Sequence, residues 1–275
     1  MAEIDLLHTL ILAATLVAAG CLGGLLAGLL GVGGGIVVVP VLFHIFTEIG
    51  IDPAVKMYLA VGTSLASIVP TAILSARSHW RRGSVDVAML RSWTPSVFVG
   101  VLIGGALAGP LRGGGLTAVF AAVALVVALH MALAPAGLRI ADAPPRGVGL
   151  HLIGGLVGAV SALMGIGGGT LSVPILSVFN YPILRAVGTA SALGIVIGVP
   201  GAIAFVLQGL GVPGRPVLSL GYVSLIGLAL ITPATLFTVP FGVRLAHSIS
   251  TKWLRRAFAV FLALTSARMF YSLWQ

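Results

Sequence analysis

Apolar residues run in long blocks separated by short polar punctuation. Residues 6–30, 57–76, 87–107, 116–133, 148–164, 186–207, 218–246 and 257–273 are nearly free of charge, and they approach or exceed the ~20 residues a helix needs to cross a bilayer. None alternates apolar and polar positions with a period of two, as the strands of a membrane barrel would. Two further apolar runs, 36–46 and 171–179, are too short to span. The pattern predicts an all-α integral membrane protein of about eight full spans and two half-helices.

Each half-helix follows the same interruption. Gly31-Val-Gly33-Gly34-Gly35-Ile-Val-Val-Val39-Pro40-Val-Leu42 returns as Gly165-Ile-Gly167-Gly168-Gly169-Thr-Leu-Ser-Val173-Pro174-Ile-Leu176 without a gap. Glycine costs about 1 kcal/mol per helical position relative to alanine, so such a run breaks a helix. The N–H groups it frees cannot be satisfied by hydrocarbon, and the break must lie inside protein or line a wet cavity. Pro40 and Pro174 stand too deep in the half-helices to be first-turn prolines and are expected to kink them. Downstream, Val61-Gly62-Thr63-Ser64 is matched by Val187-Gly188-Thr189-Ala-Ser191. Thr94-Pro95 and Thr232-Pro233, Gly104 and Gly242, and Met131 and Met269 share one spacing, which marks an internal duplication. The halves are predicted at 1–135 and 148–275, with 136–147 as the loop between them.

Charge in the loops orients the halves. If each glycine break enters and returns as a hairpin, one side of the membrane holds Arg77, Arg81, Arg82, Arg139, Arg146, Arg185, Arg244, Lys252, Arg255 and Arg256. The other holds Lys56, Arg112 and Arg215 with the acidic N-terminus. By the positive-inside rule both termini are then outside, and the halves are two inverted four-span repeats. Two matching breaks in repeated halves are the sequence mark of a transporter whose site lies at the breaks.

Composition narrows the class. The 275 residues are 59% hydrophobic and only 8% charged, against about 25% charged in a soluble domain. The net charge of +9 sits mostly in short loops, so it does not point to nucleic acid. A single cysteine, Cys21, excludes an intramolecular disulfide and a thiolate metal cluster. Ala18-Ala19-Gly20-Cys21 is a faint lipoprotein-like site, but no Lys or Arg precedes it, so residues 1–30 read as a retained helix. All six acidic residues, Glu3, Asp5, Glu48, Asp52, Asp86 and Asp142, fall at ends or in loops. The carboxylates of a proton or sodium relay are missing from the spans, which favours an anionic substrate.

A helix start carries about half a positive charge and unsatisfied N–H groups, and is therefore an anion site. Gly33, Gly34 and Gly35 open the first half-helix; Gly167, Gly168 and Gly169 open the second. In an inverted pair the two starts would face each other near the midplane. Thr63, Ser64, Thr189 and Ser191 would add hydroxyl donors if their helices also break. The plainer alternatives are packing for the glycines, as the Gly20/Gly24/Gly28 face suggests, and bonds to their own helix carbonyls for the hydroxyls. Lys56 and Arg185 can draw anions into opposite vestibules or simply snorkel to the interface. His44 and His130 are candidates for coupling, with a packed or interfacial role as the alternative. Arg268 lies well inside the last apolar run. No nucleophile–base pair or metal-ligand cluster is present to suggest an enzyme, a metal or a cofactor.

The paired glycine motifs, each followed by a Val-Gly-Thr helix, resemble the TauE/SafE family of sulfite exporter-like membrane proteins over essentially the whole chain. The resemblance implies export of small sulfur-containing anions, such as sulfite or organosulfonates, across the bacterial inner membrane. A passive anion channel, or a transporter of another small anion, is the alternative. The expected partners are the small anion and the lipid bilayer; glycine faces at 100/104 and 154/158 also permit a homodimer.

Overall fold

The computed structural model describes residues 6–31, 33–133, 140–246, 248 and 251–274, with backbone alone at 6, 112, 113 and 251–258. Ten α-helices appear among them: α1 (Leu6–Leu30), α2 (Gly35–Glu48), α3 (Pro53–Trp80), α4 (Val87–Ala108), α5 (Arg112–Leu133), α6 (Val148–Met164), α7 (Gly169–Val178), α8 (Ile183–Gly209), α9 (Leu225–Ala246) and α10 (Thr251–Tyr271). Six of these regions are long and apolar enough to cross a membrane: Leu7–Leu30, Pro53–Trp80, Val87–Leu111, Gly114–Leu133, Ile183–Gly209 and Leu225–Ala246. The chain is a multi-pass, mostly helical membrane protein. The two half-helices are α2 and α7, and Pro40 and Pro174 lie within them.

Local chemistry sets the boundaries. Asp52 caps α3 by accepting from the Ala54 amide at 2.8 Å, with Pro53 in the first helical position. Asp86 caps α4 by accepting from the Met89 amide at 3.0 Å. The run 218–246 is not one helix: Ser219–Leu220 (β1) and Val223–Ser224 (β2) form a small antiparallel hairpin, and α9 starts at Leu225. The physical reason is Gly221, whose φ of +55° turns the chain. A side chain there would collide with the Val206 carbonyl, because the hairpin lies against the end of α8.

The halves are interleaved. The first helix of each packs on the fourth helix of the other, α1 on α9 and α6 on α4. Glycines make the approach possible. A Cβ on Gly20 would lie 2.8 Å from the Ile231 carbonyl, and Cβ atoms on Gly24 and Gly28 would strike Thr235 and Val239. Gly100 and Gly104 press in the same way on Gly155 and Ala159. The glycine faces that would permit a dimer are thus occupied within the chain.

Corresponding helices run in opposite directions where they meet. Along α8, Gly188, Gly194 and Gly198 lie beside Ser84, Ala72 and Leu65, so α3 and α8 are antiparallel. Ser266 donates to the Ala121 carbonyl at 2.7 Å and Leu273 lies by Gly114, so α10 and α5 are antiparallel too. Arg77, Arg81, Arg82, Arg185 and Arg244 therefore stand at one end of the bundle, and Lys56 and Arg215 at the other. Arg139, and the side chains of Arg112, Lys252, Arg255 and Arg256, lie outside the described residues. Leu102, Ile103, Leu107, Leu152, Leu156, Ile203 and Phe237 face outward, an apolar perimeter suited to lipid.

Candidate functional site

The two glycine breaks meet. Gly31, Gly33 and Gly34 have φ of +67°, +72° and +77°, and Gly165 has +65°. These are backbone conformations that a side chain would strain. A Cβ on Gly33 would lie 3.1 Å from the Gly167 Cα, and one on Gly35 would strike the Gly165 carbonyl. The breaks sit against the middle of α3. Ser64 donates to the Gly165 carbonyl at 2.6 Å, and a Gly165 side chain would lie 2.9 Å from the Val61 Cα.

Both half-helices start at this junction. Gly34 caps α2, accepting from the Val37 and Val38 amides at 3.1 and 3.2 Å; Gly168 caps α7, accepting from the Ser172 amide at 3.0 Å. Neither start has a side-chain cap. Two helix N-termini whose leading N–H groups lack side-chain acceptors share one buried place, where a dipole acts with little screening.

The Val-Gly-Thr segments do not break α3 or α8, which run through them unbroken. Their hydroxyls are engaged between the halves. Thr63 accepts from the Ser224 amide at 2.8 Å and Thr189 from the Asp86 amide at 3.0 Å, matching contacts ahead of α9 and α4. Gly62 and Gly188 admit this approach: side chains there would strike the Tyr222 and Ser84 carbonyls. Ser191 donates to the Val187 carbonyl at 2.9 Å and accepts from Ser75 at 3.1 Å. Of the four hydroxyls, Ser64 bonds the second break, and Ser191 lies beside the first, where a Cβ on Gly31 would come 3.1 Å from its Oγ.

Two residues absent from the sequence reading adjoin the second break. Thr170 and Ser172, in the first turns of α7, are 3% and 0% exposed, and their hydroxyls have no partner among the described residues. Ile36 and Val38 hold the matching places in α2. Helical Cβ atoms lean toward the N-terminus, so both hydroxyls lean toward the junction. The signal was present in the sequence: two hydroxyls in the first turns of the second half-helix, at places that are apolar in the first.

The remaining candidates lie apart. Lys56, in the first turn of α3, holds its Nζ 4.7 Å from the Phe43 ring centroid. Arg185 is exposed in the first turn of α8 at the opposite end. His44 meets Phe43 edge-on at 5.8 Å and stands nine residues along α2 from Gly35, while His130 is in the last turn of α5. Arg268 is exposed in the last turn of α10. Outside the spans, Tyr181 donates to Asp86 Oδ2 at 2.6 Å. That bond, helped by the Met89 amide, holds the Asp86 carboxyl below the usual range, and burial with the carboxylate pushes the Tyr181 hydroxyl up.

Comparison with known proteins finds similar membrane proteins over nearly the whole chain. The family described as "Sulfite exporter TauE/SafE" matches residues 16–269. A probable membrane transporter protein of Haemophilus influenzae is 33% identical over 251 residues, covering 91% of this chain and 95% of that one. One from Methanocaldococcus jannaschii is 29% identical over 254 residues, covering 90% and 91%. One from Bacillus subtilis is 23% identical over 276 residues, covering 93% and 96%. No solved structure matches the chain.

Proposed function

The chain belongs to the sulfite exporter TauE/SafE family of membrane transporters, and on that premise we propose that it exports small sulfur-containing anions, such as sulfite or organosulfonates, by alternating access. The observation that carries this reading is the contact between the two breaks, Gly33 on Gly167 and Gly35 on Gly165. An oxyanion between the starts of α2 and α7 would face two positive helix ends and their N–H groups, without a buried lysine. Thr170 and Ser172 stand beside it as hydroxyl donors, while the Ser64 hydroxyl is committed to the Gly165 carbonyl.

The breaks are too tightly packed here to hold an anion without moving apart. Such packing supports a site that opens and closes over a standing pore. The antiparallel α3/α8 and α5/α10 pairs support inverted repeats, in which rocking of one half against the other exposes a central site to alternate sides. With the arginine-rich end facing the cytoplasm, both termini lie outside the bacterial inner membrane.

The test is flux in proteoliposomes loaded with 35S-labelled sulfite, taurine or sulfoacetate. Saturable flux for one of these, with acceleration by unlabelled anion on the far side, is the expected result. Flux that rises linearly with concentration and shows no exchange would make the protein a channel. Absence of flux for every sulfur anion would overturn the substrate class.

A further inference from the structure

A cavity of about 380 Å³ lies at the arginine-rich end of the bundle, lined by Ser78, Arg81, Arg82, Pro240 and Arg244. Arg81 and Arg82 follow α3, and Arg244 is in the last turn of α9. No carboxylate is among these lining residues. One water occupies about 30 Å³ of liquid, so the cavity has room for a small anion and much of its hydration shell.

From this cavity a polar face leads down α3 toward the glycine breaks. His79, Ser75, Thr71, Ser67 and Ser64 recur every three or four residues, hence on one side of the helix. All are 2% exposed or less. They look onto the junction of the two halves. His79 Nε2 is 3.0 Å from the Gly28 carbonyl of α1, and Ser75 donates to Ser191 of α8 at 3.1 Å. Thr71 donates to the Ser67 carbonyl at 2.7 Å and to Thr235 Oγ1 of α9 at 3.1 Å, while Ser64 reaches the second break. Ser64 to Ser78 is 14 residues of helix, about 21 Å.

The other half has no such face. Aligning the two Val-Gly-Thr segments sets Ala190, Leu193, Ile197, Gly201 and Phe205 of α8 against these five residues. At the far end, Phe205 joins Tyr58 and Tyr222 in an aromatic cluster, with the two tyrosine rings stacked at 4.8 Å. If the hydroxyls served only to hold helices together, a duplicated fold would be expected to carry them in both halves. Their restriction to the side that ends at three guanidinium groups points to a path.

We propose that the anion moves between the glycine breaks and the arginine-lined cavity along the hydroxyl face of α3, and that the bonds from His79, Ser75 and Thr71 to α1, α8 and α9 close this path in the present conformation. The proposal rests on the reading of the breaks as the anion site. Bonds between helix hydroxyls in a membrane are individually weak. Rocking of the halves can therefore exchange them for bonds to the anion and its water. The arginines gather anions at the mouth by their field.

The experiment uses the full chain with Cys21→Ala in proteoliposomes. Single cysteines are placed by Ser67→Cys, Thr71→Cys and Ser75→Cys, with Gly201→Cys and Phe205→Cys as the α8 controls, because Ala190, Leu193 and Ile197 pack against Gly168 of the second break. The probes are anionic 2-sulfonatoethyl methanethiosulfonate and neutral methyl methanethiosulfonate, and modification is followed by mass. The α3 cysteines should react with the anionic probe at least tenfold faster than the controls, and their modification should stop flux. Adding Arg81→Gln, Arg82→Gln and Arg244→Gln should slow the anionic probe severalfold and leave the neutral one unchanged. Equal rates on α3 and α8 would overturn the path, as would unreactive α3 cysteines in variants that still transport, or an arginine effect shared by both probes. Gly168→Ala separates the two readings. Its loss of flux without labelling on α3 leaves the site and removes the path; unaltered flux with selective labelling removes the site alone.

Discussion

Ser64 in the first half donates a hydrogen bond to the Gly165 carbonyl of the second at 2.6 Å, joining the middle of α3 to the glycine break that precedes α7. Both residues are buried. Ser64→Ala leaves that carbonyl without its hydroxyl donor, which costs about 1–3 kcal/mol for a buried group. Denaturation of the purified variant in detergent should show the loss, and transport should fall with it. Unchanged stability would mean that the bond contributes nothing to holding the break.

Thr63 and Thr189 make matching contacts to the amides of Ser224 and Asp86. Thr63→Val and Thr189→Val should each destabilise by about 1–2 kcal/mol, and the double variant by the sum, because the two contacts lie at opposite ends of an antiparallel helix pair. Ser191→Ala should cost less, since that hydroxyl donates only within its own helix, and Ser75, which donates to it, also reaches the Ala27 carbonyl. Melting temperatures of the four proteins check the order.

Packing glycines and break glycines should separate in assay. Gly24→Ala forces its Cβ into Thr235 and Thr238 and should cost about 1–3 kcal/mol while leaving substrate affinity intact. Gly168 has φ −55°, which alanine tolerates, but its Cβ would enter space 3.1 Å from the Ala190 carbonyl and the Leu193 Cβ. Gly168→Ala should therefore weaken substrate binding more than stability. Gly34→Val is a poorer probe, because φ +77° strains any side chain there. A thermal-shift titration with the transported anion distinguishes affinity from stability.

Thr170→Val and Ser172→Ala remove buried hydroxyls that have no partner among the described residues. If these groups serve the anion, stability should hold or rise while flux drops about tenfold or more, one hydrogen bond to a charged group being worth about 1.5–3 kcal/mol. Flux equal to that of the parent protein would show that they do not touch substrate.

The Asp86–Tyr181 bond predicts a pH dependence at both extremes. A carboxyl held below its usual range stabilises the fold above its unfolded pKa, and the contribution disappears as pH falls through the folded value. A tyrosine held above its usual range stabilises the fold below its unfolded pKa, and the contribution fades as pH rises beyond it. Tyr181→Phe should flatten the stability profile below about pH 4 and above about pH 10. Denaturation midpoints across pH, compared with the parent chain, read the effect directly.

Much of this molecule was legible in the order of its residues, for identifiable reasons. Apolar run length predicts helical spans because hydrocarbon cannot satisfy open backbone. Glycine runs mark breaks because glycine weakens helix, and repetition of Gly31–Leu42 as Gly165–Leu176 marks two halves. The bounds of α6 follow from those rules alone, and the starts of α2 and α7 to within two residues. The hairpin ahead of α9 did not, because it depends on Gly221 lying against the Val206 carbonyl, a contact far from local propensity.

Partnership was decided only by the tertiary structure. A hydroxyl in an apolar helix reads the same whether it faces substrate, a neighbouring amide or its own carbonyl. Thr63 and Thr189 proved to hold the opposite half, Ser64 a break carbonyl, and Ser191 both its own helix and Ser75 of the opposite half, while Thr170 and Ser172 are left with no partner among the described residues. Local sequence determined where the chain must be helical and where it must break. Which groups meet at the breaks depended on the interleaving of α1 with α9 and α6 with α4, because close packing between distant segments, not propensity within them, chooses each buried polar group's partner.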